Sequence, residues 1–369
     1  MGTLGQARAD VQARCAGPCA AIAGPCKDRS DDRARVRCHH ALVPILHPRT
    51  VAFFACACLL PAARAAEIPV TIPAGVANHA DGRAPIETLY RAVFRLVAKG
   101  WQAEVIAQSE PPGTAGPLPI VALRSPKAGP AVWILAGIHG EEPAGPNAIA
   151  AAIEDIAALG ASRPVVLMPL LNPQGYARNW RYLNVAVYSE TIDGQSVGDS
   201  SHLLPSVEDA SRPRAPAASS PEAGAITAFV LRQQADYPVA VSIDLHEDNL
   251  IDQGYVYSQG VAGAKDELAI TAVNVLRESG VPIKMDGKTR FDEPVERGII
   301  GPVTDSSIDE LMSARTLVVG GVVRSGPAAK TVLVLETPAA ALPLEKRIAA
   351  QAAVLRLFST YLITTPDGF

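Results

Sequence analysis

The sequence predicts an α/β fold with a mixed, mostly parallel central sheet and helices on both faces. Continuous apolar runs such as PAVWILAGI (130–138) and PVVLMPLLN (164–172) are typical of strands that are buried on both faces of a sheet. Segments with apolar residues at helical spacing alternate with these runs along the chain. This alternation is typical of strands joined by helical crossovers, which place helices on both sides of a sheet.

The same patterns predict the remaining elements in order. They are helices over 86–100, 146–160, 220–234, 264–280 and 344–362, and strands over 101–109, 117–125, 239–245 and 330–336. We expect Gly100 and Gly160 to end the first two helices, because glycine is favoured just past a helix end. Between 185 and 221 the periodicity fails, and we expect the first half of this long loop to border a functional site.

The N-terminal region has the pattern of a secretory signal rather than of a folded domain. Arg49 precedes the short apolar core TVAFFACACLLPAARA, which closes in Ala63-Arg64-Ala65, and this order is typical of a secretory signal cleaved near Ala65. We therefore divide the chain into 1–65, a pre-region with signal peptide, and 66–369, one catalytic domain. Residues 1 to about 42 are either a long pre-region or the product of a misassigned start. The alternative for the apolar core is a buried helix.

Composition excludes two classes of partner. The 369 residues carry a net charge of −4, without the basic excess that nucleic-acid binding needs. The mature segment has no apolar stretch near the ~20 residues of a membrane-spanning helix. All six cysteines precede the predicted cut, so the mature protein would have none. The sequence predicts a secreted or periplasmic protein and gives no indication of oligomeric state.

Polar residues that suit metal chemistry follow three of the apolar strands. His139 and Glu142 come after the first, His246 after VAVSIDL, and Glu336 after KTVLVL. Carboxyl ends of strands meet where ligands bind in open α/β sheets. A catalytic zinc takes three protein ligands from histidine and carboxylate and keeps an open position. The sequence therefore predicts one zinc ion on His139, Glu142 and His246.

Asp244 lies two residues before His246, so strand alternation points both side chains the same way. It could accept the second ring proton of the ligand histidine, as partners of ligating histidines often do. The alternative interpretation is a solvated carboxylate at a strand end.

This constellation resembles the zinc carboxypeptidase superfamily, which includes carboxypeptidase A-like metallopeptidases, succinylglutamate desuccinylase and aspartoacylase. The residues that carry the resemblance are GIHGEE, LNPQGY, DLH, DSSIDEL and LETP, in the order and spacing of the family. It implies the phosphorylase/hydrolase-type α/β fold of zinc carboxypeptidases, zinc on His139, Glu142 and His246, and Glu336 as general base.

The resemblance also implies residues that contact the substrate. NWRYLN aligns Arg181 with the arginine that polarises the scissile carbonyl, with Arg178 as the neighbouring alternative and Asn179 beside it. Ile308 in DSSIDEL would face the specificity pocket and favour an apolar or uncharged side chain. A surface salt bridge is the alternative role for Arg181.

The sequence departs from the family in two places. After Arg181 the Asn-Arg pair that clamps the substrate carboxylate in the family is missing, so recognition of a free C-terminus would need another group. Arg290, Arg297 or a residue of SVGDSSH could substitute. No tyrosine stands at the usual distance before Ser307, and we expect Tyr255 and Tyr257 to be strand residues that line the pocket wall.

The function predicted is a zinc-dependent metallocarboxypeptidase-type hydrolase that cleaves peptide bonds with a metal-activated water, with cell-wall or other periplasmic peptides among its candidate substrates. One alternative is an N-acyl amino acid deacylase of the succinylglutamate desuccinylase/aspartoacylase type, which WRYLN favours while LETP and SSID favour the peptidase. The other is a periplasmic binding protein that keeps the fold without catalysis, against which the retention of Glu336 argues.

Overall fold

We describe residues 71, 76–109, 116–183 and 198–364 of a computed structural model of the chain. The predicted pre-region, the signal peptide with its cleavage near Ala65 and the six cysteines lie outside these residues. Among the helices within them, none is both long enough and apolar enough to cross a membrane.

The helices and strands alternate through most of the chain, as predicted. The helices are α1 Ile86–Phe94, α2 Ala144–Ala151, α3 Ile153–Ser162, α4 Pro173–Arg178, α5 Pro221–Gln233, α6 Glu267–Glu278, α7 Ile308–Ser313 and α8 Leu344–Thr364. The strands are β1 Gln102–Ser109, β2 Leu118–Arg124, β3 Ala131–Ala136, β4 Val165–Met168, β5 Val239–Asp248, β6 Tyr255–Ser258, β7 Asp286–Lys288, β8 Pro294–Glu296, β9 Ile299–Ile300, β10 Thr316–Val319, β11 Val322–Ser325 and β12 Thr331–Pro338.

The predicted mixed α/β sheet is confirmed as a ten-stranded sheet in the order β1-β2-β4-β3-β5-β12-β6-β9-β8-β7. The prediction that it is mostly parallel is wrong, because five of its nine neighbouring pairs are antiparallel. Parallel pairing is concentrated at its centre, where β4, β3, β5 and β12 run side by side. Toward both margins the pairs are antiparallel, apart from β6 with β9. Parallel neighbours need a crossover of a dozen or more residues, and helices lie in the connections between β3, β4, β5 and β12.

Alternate residues of the central strands enter two separate apolar cores, one on each face of the sheet. In β3, Val132 and Ile134 pack with helices α1, α2, α3, α6 and α8. Trp133 and Leu135 face the other way and pack with α5 and α7. Both faces of β3 are therefore buried, which is why the strand reads as an unbroken apolar run.

The helix predicted over 146–160 is two helices, and Gly160 does not end either of them. The break falls at Ala152, where φ is −101°, and α3 continues past Gly160 to Ser162. A Cβ on Gly160 would lie 2.1 Å from the ring of Trp101, so this glycine serves close packing rather than termination. Gly100 does not end the first helix as predicted, because α1 ends at Phe94; Gly100, left-handed with φ of 88°, instead ends the short 3-10 turn Val97–Lys99 that follows.

Candidate active site

The central parallel strands bring the predicted metal ligands to one edge of the sheet. β12 pairs with β5 so that Glu336 lies opposite His246. β3 pairs with the other side of β5 and ends at Ala136, three residues before His139. Because β3, β5 and β12 are parallel neighbours, their carboxyl ends converge although they are more than a hundred residues apart in places.

His139, Glu142 and His246 meet in a compact cluster. His139 Nδ1 lies 2.9 Å from Glu142 Oε1, and His246 Nδ1 lies 2.9 Å from Glu142 Oε2. The two Nδ1 atoms are 3.1 Å apart. Ligands of a tetrahedral zinc ion are separated by about 3.3 Å when each bond is about 2.0 Å, so this cluster fits the ion. These three residues could hold a metal ion.

The loop between β3 and α2 presents His139 and Glu142 because two glycines let it pack tightly. Gly137 has φ of 68°, a left-handed conformation, and its carbonyl accepts a 2.7 Å hydrogen bond from the N–H of Asn172. A Cβ on Gly140 would lie 2.0 Å from the backbone of Gly175. The loop is thereby pressed against the start of α4, which fixes the direction of both side chains.

Electrostatics within the cluster favour a charged glutamate beside a neutral histidine. Burial would raise the pKa of Glu142, but His139 and His246 outweigh burial and hold that pKa well below its usual range. Burial and the nearby Arg181 lower the pKa of His139. A carboxylate and a neutral imidazole are the protonation states that a metal ion requires of its ligands.

Asp244 lies directly behind His246, as strand alternation predicts. Its Oδ2 is 3.3 Å from His246 Nε2, the ring nitrogen on the far side from Glu142. Burial would lower the pKa of His246, but Asp244 and Glu142 raise it well above the ordinary value. Asp309 joins Asp244 and His246 in a second group whose candidate ligand atoms lie within 4.8 Å of one another.

Glu336 and Arg181 line a cavity of about 300 Å³ together with His139, Glu142 and His246. Burial raises the pKa of Glu336 well above its usual value, and its Oε2 has no hydrogen-bond partner among the described residues. Arg181 Nη1 donates to Glu141 Oε1 and Glu142 Oε1, each at 2.8 Å. The cavity thus combines a candidate metal site, an unpaired carboxyl oxygen and a guanidinium.

Of the three residues predicted to contact the substrate, only Ile308 lines the cavity. Ile308 is buried at the start of α7 and lines the cavity. Arg178 is exposed at the end of α4, and the side-chain oxygen of Asn179 accepts a 2.7 Å hydrogen bond from Arg83. Neither Arg178 nor Asn179 belongs to the cavity lining, and Asn179 has a left-handed backbone with φ of 57°.

Other cavity residues were not predicted as part of the site. Asp248 and Glu293 line it, as does Phe291 at the tip between β7 and β8. Asp199 lines the cavity, so the prediction that the first half of the long loop borders the site is confirmed. Residues 184–197 of that loop lie outside the described residues. Asp248 could have been predicted as a site residue, because it follows His246 by two residues on the same strand. Tyr255 and Tyr257 line the wall as strand residues of β6, as expected.

The chain resembles known metallohydrolases in sequence and in fold. Residues 128–285 match the family model of the succinylglutamate desuccinylase/aspartoacylase catalytic domain. A protein described as a metallopeptidase from Shewanella amazonensis has 25% identity and a TM-score of 0.57, with 75% of this chain and 93% of that one covered. The predicted resemblance to the zinc carboxypeptidase superfamily is confirmed. The family match spans His139, Glu142 and His246 and ends before Glu336.

Two further structures share the fold of this chain. Proteins described as metallopeptidases from Shewanella baltica and Shewanella denitrificans have TM-scores of 0.58 and 0.56 and identities of 22% and 19%. The aligned region covers 75% of this chain and 92% of the Shewanella baltica protein. For the Shewanella denitrificans protein the two shares are 76% and 91%. No curated protein sequence matches the chain. The homology to hydrolases indicates an enzyme.

Proposed function

We propose that the protein is a zinc-dependent amide hydrolase of the metallocarboxypeptidase type, acting on peptides. The observation that carries the proposal is the convergence of His139, Glu142 and His246 with Glu336 in one cavity. Two imidazoles and one carboxylate are a usual ligand set of catalytic zinc, and a second carboxylate beside them is what amide hydrolysis needs.

In this mechanism Glu336 and Arg181 have separate roles beside the metal ion. A bound zinc ion would supply an acidified water and would polarise the substrate carbonyl. Glu336 would take up the proton released on attack and deliver it to the leaving nitrogen. The guanidinium of Arg181 would stabilise the negative charge that develops on the carbonyl oxygen, after exchanging its present contacts with Glu141 and Glu142.

A second candidate function is hydrolysis of N-acyl amino acids. The specific support is the match of residues 128–285 to the succinylglutamate desuccinylase/aspartoacylase catalytic domain. The same ligands and the same carboxylate would serve, because both reactions cleave an amide bond. The two functions differ in what lies on either side of that bond.

We also infer that the enzyme acts outside the cytoplasm, because the segment up to Ala65 has the features of a secretory signal. Peptides of the periplasm, those of the cell wall included, are then the candidate substrates. N-terminal sequencing of the exported protein checks this point, and a mature chain that still contains residues 1–65 would contradict it.

A substrate panel distinguishes the two functions. It contains a peptide, the same peptide with an amidated C-terminus and several N-acyl amino acids, each assayed with the zinc-loaded protein and after chelation. Zinc-dependent release of an amino acid from the peptide supports the peptidase. Cleavage of acyl amino acids alone supports the deacylase, and failure to cleave either group under zinc contradicts the proposal.

Glu336→Gln tests the proton carrier separately from the metal site. We expect the variant to retain zinc and to lose roughly 10²- to 10⁴-fold in kcat, the usual contribution of a general base. Glu296→Gln is the control, because Glu296 is an exposed carboxylate on β8 outside the cavity lining. Full turnover in Glu336→Gln with bound zinc would remove Glu336 from the mechanism, and a purely binding protein would show no turnover to lose.

A further inference from the structure

Arg83 is a buried arginine near the candidate active site that the proposed mechanism does not use. It lies before α1, 57 residues ahead of Gly140 in the loop that carries two of the candidate ligands. Burying a guanidinium is costly unless its charge is paired and its N–H groups are hydrogen-bonded. The groups that Arg83 contacts therefore show what this arginine holds together.

The charge of Arg83 is paired with Asp81, two residues earlier. Arg83 Nε donates to Asp81 Oδ1 at 2.8 Å, and Nη2 donates to Asp81 Oδ2. The backbone N–H of Arg83 also donates to Asp81 Oδ1, at 3.1 Å. A planar guanidinium meets a carboxylate in a bidentate geometry, so this pair both neutralises the cation and fixes the plane of its fork.

The other side of the guanidinium bonds to three separate parts of the chain. Nη1 donates to the carbonyl of Gly140 at 2.9 Å and to the carbonyl of Tyr176. Nη2 donates to Oδ1 of Asn179 at 2.7 Å. The guanidinium carbon lies 4.8 Å from the ring centre of Tyr176. Arg83 thus joins the loop after β3, the last turn of α4 and the turn that follows α4.

Two of these contacts lie next to residues of the candidate site. Gly140 directly follows His139, and Asn179 precedes Arg181 by two residues. The N–H of Gly140 donates to the carbonyl of Arg181 at 3.3 Å, so the two backbone groups of this glycine bond to both arginines. Arg83 therefore contacts both chain segments whose relative placement sets the distance between the candidate ligands and Arg181.

We propose that Arg83 is a positioning residue, which holds the metal-binding loop against the segment of Arg181 so that both act on one substrate carbonyl. The inference rests on the proposed amide hydrolase function. Arg83 lies outside the cavity lining, so it acts through Gly140 and Asn179. This arrangement gives Asn179 a role that does not require contact with the substrate.

Lysine cannot replace Arg83 in this arrangement. An ammonium has three donors around one nitrogen atom, whereas Arg83 uses three nitrogen atoms to reach four residues. The carbonyl of Tyr176 belongs to the last turn of α4, where carbonyls have no partner within the helix. A lysine at position 83 would keep the charge but leave part of this junction without a donor.

The first test compares the zinc affinities of R83K and R124K. Arg124 is the matched control, because it is a half-buried arginine of β2 that bonds to Gln233 and Glu104 outside the cavity lining. Competition with a chelator measures the affinity under conditions in which each protein is fully folded. We expect R83K to bind zinc at least roughly tenfold more weakly than the wild type, and R124K to bind it equally well.

Kinetics of the zinc-loaded proteins separate positioning from substrate binding. With a substrate that the wild type cleaves, R83K should lower kcat at least roughly tenfold and change KM little, because misplacing Arg181 acts on the transition state. R124K should keep both constants. A loss of the same size in R124K would show that general destabilisation causes the effect, and this would overturn the inference.

N179G removes only the contact with the segment of Arg181. Glycine tolerates the left-handed backbone at this position, where φ is 57°. The variant should lower kcat without weakening zinc binding, because the bond from Arg83 to Gly140 remains. If R83K does not fold, N179G decides the question, and wild-type kcat in N179G would show that Arg83 does not position Arg181.

The metal readouts keep this test independent of catalysis. If the wild type hydrolyses no amide, the proposed function fails, and zinc affinity then tests the effect of Arg83 on the loop by itself. The visible spectrum of the Co²⁺-loaded protein adds a second measure, because it depends on the geometry of the ligands. Wild-type zinc affinity together with a wild-type Co²⁺ spectrum in R83K would mean that Arg83 only stabilises the fold, which overturns the inference.

Discussion

Asp244 supports His246 from behind, at the ring nitrogen that faces away from Glu142. The 3.3 Å contact between Asp244 Oδ2 and His246 Nε2 orients the imidazole and increases the electron density at its other nitrogen. Asp244 is fully buried, and apart from this contact its carboxylate has no hydrogen-bond partner among the described residues. The most direct reason to keep such a carboxylate in the core is its effect on the histidine.

Asp244→Asn should weaken metal binding by about 10- to 100-fold, the usual cost of losing such a partner, because the amide keeps the shape but not the charge. Competition with a chelator of known affinity measures this change. Ser242→Ala is the control, since Ser242 is a buried residue of β5 two positions earlier and should leave the affinity unchanged. Equal affinities of wild type and Asp244→Asn would show that Asp244 does not act on the metal site.

Asp199 gives the stability of the metal-free protein a dependence on pH. Burial raises the pKa of Asp199 from 3.8 to about 6. The folded state thus binds this proton more tightly than the unfolded state does, so the unfolding free energy falls as pH rises from about 4 to about 6 and stays lower above that. The loss amounts to at most about 3 kcal/mol, because each unit of pKa corresponds to about 1.4 kcal/mol.

Asp199→Asn removes this titration while the side-chain oxygen can still accept from Ser219. The variant should therefore be more stable than the wild type above pH 6, and the difference should shrink toward pH 4. Urea unfolding of the chelated proteins across this range measures it. A stability difference that does not change with pH would mean that the carboxyl of Asp199 does not titrate there.

The principal site residues were predictable because each lies at or soon after the carboxyl end of a long apolar run. His246 and Glu336 lie within the last three residues of β5 and β12, His139 and Glu142 lie in the loop after β3, and parallel neighbours bring those ends together. Arg290 was named only as one of several substitutes, since its place depends on a short hairpin whose strands have three residues each. Short polar strands carry too little periodicity to be recognised in a sequence.

At the scale of the element, the loop from β3 to α2 depends on the absence of a side chain at Gly140. A Cβ there would be 2.0 Å from the carbonyl carbon of Gly175 and 2.4 Å from the carbonyl oxygen of Trp180. Both neighbours are backbone, so neither can move without displacing α4 or the segment that leads to Arg181. The close contact therefore joins the loop that carries His139 and Glu142 to the segment that leads to Arg181.

Gly140→Ala should therefore destabilise the protein by about 1 to 3 kcal/mol, as overpacking usually does, and should weaken metal binding because His139 and Glu142 shift with the loop. Thermal unfolding and metal titration measure the two effects. Gly301→Ala is the control, because a Cβ at Gly301 meets no described atom within 4 Å. Normal metal affinity in Gly140→Ala would show that the loop tolerates displacement without moving its ligands.

Elements with strong periodicity were predicted correctly. The predictions failed where the structure depends on packing that a single sequence does not reveal. Gly160 was expected to end a helix because glycine favours helix ends. Its actual neighbour, Trp101, lies almost sixty residues away and requires a residue without a side chain. The hairpin of β10 and β11 was not predicted either, since β11 is exposed along its length and lacks a buried face to impose alternation.

For the molecule as a whole, the sheet was predicted as mostly parallel because its apolar central strands are the most conspicuous in the sequence. The parallel part is the part that builds the site, and the antiparallel margins extend the sheet on either side. The hairpin β7–β8 forms one of these margins and closes the cavity wall with Arg290 and Phe291. The margins thus shape the substrate side of the cavity, while the centre fixes the ligands.

A metal ion that joins the loop after β3 to β5, through the partly exposed His139 and the buried Glu142 and His246, should stabilise the whole fold. A ligand that binds only the folded state raises the unfolding free energy by about 2.7 kcal/mol when its concentration is a hundred times its Kd. We therefore expect the melting temperature to rise with free zinc concentration and to fall after chelation. The increment should disappear in His139→Ala, because His139 is one of the three candidate ligands.

His139 is partly exposed, with 15% of its side chain accessible, so its truncation should cost the metal-free protein little by itself. His202→Ala is the matched control, since His202 is a half-buried histidine that contacts Thr227 and lies outside the ligand cluster. This control should keep the full response to zinc. An equal rise in melting temperature in His139→Ala would mean that zinc binds elsewhere, and the cluster of His139, Glu142 and His246 would lose its role.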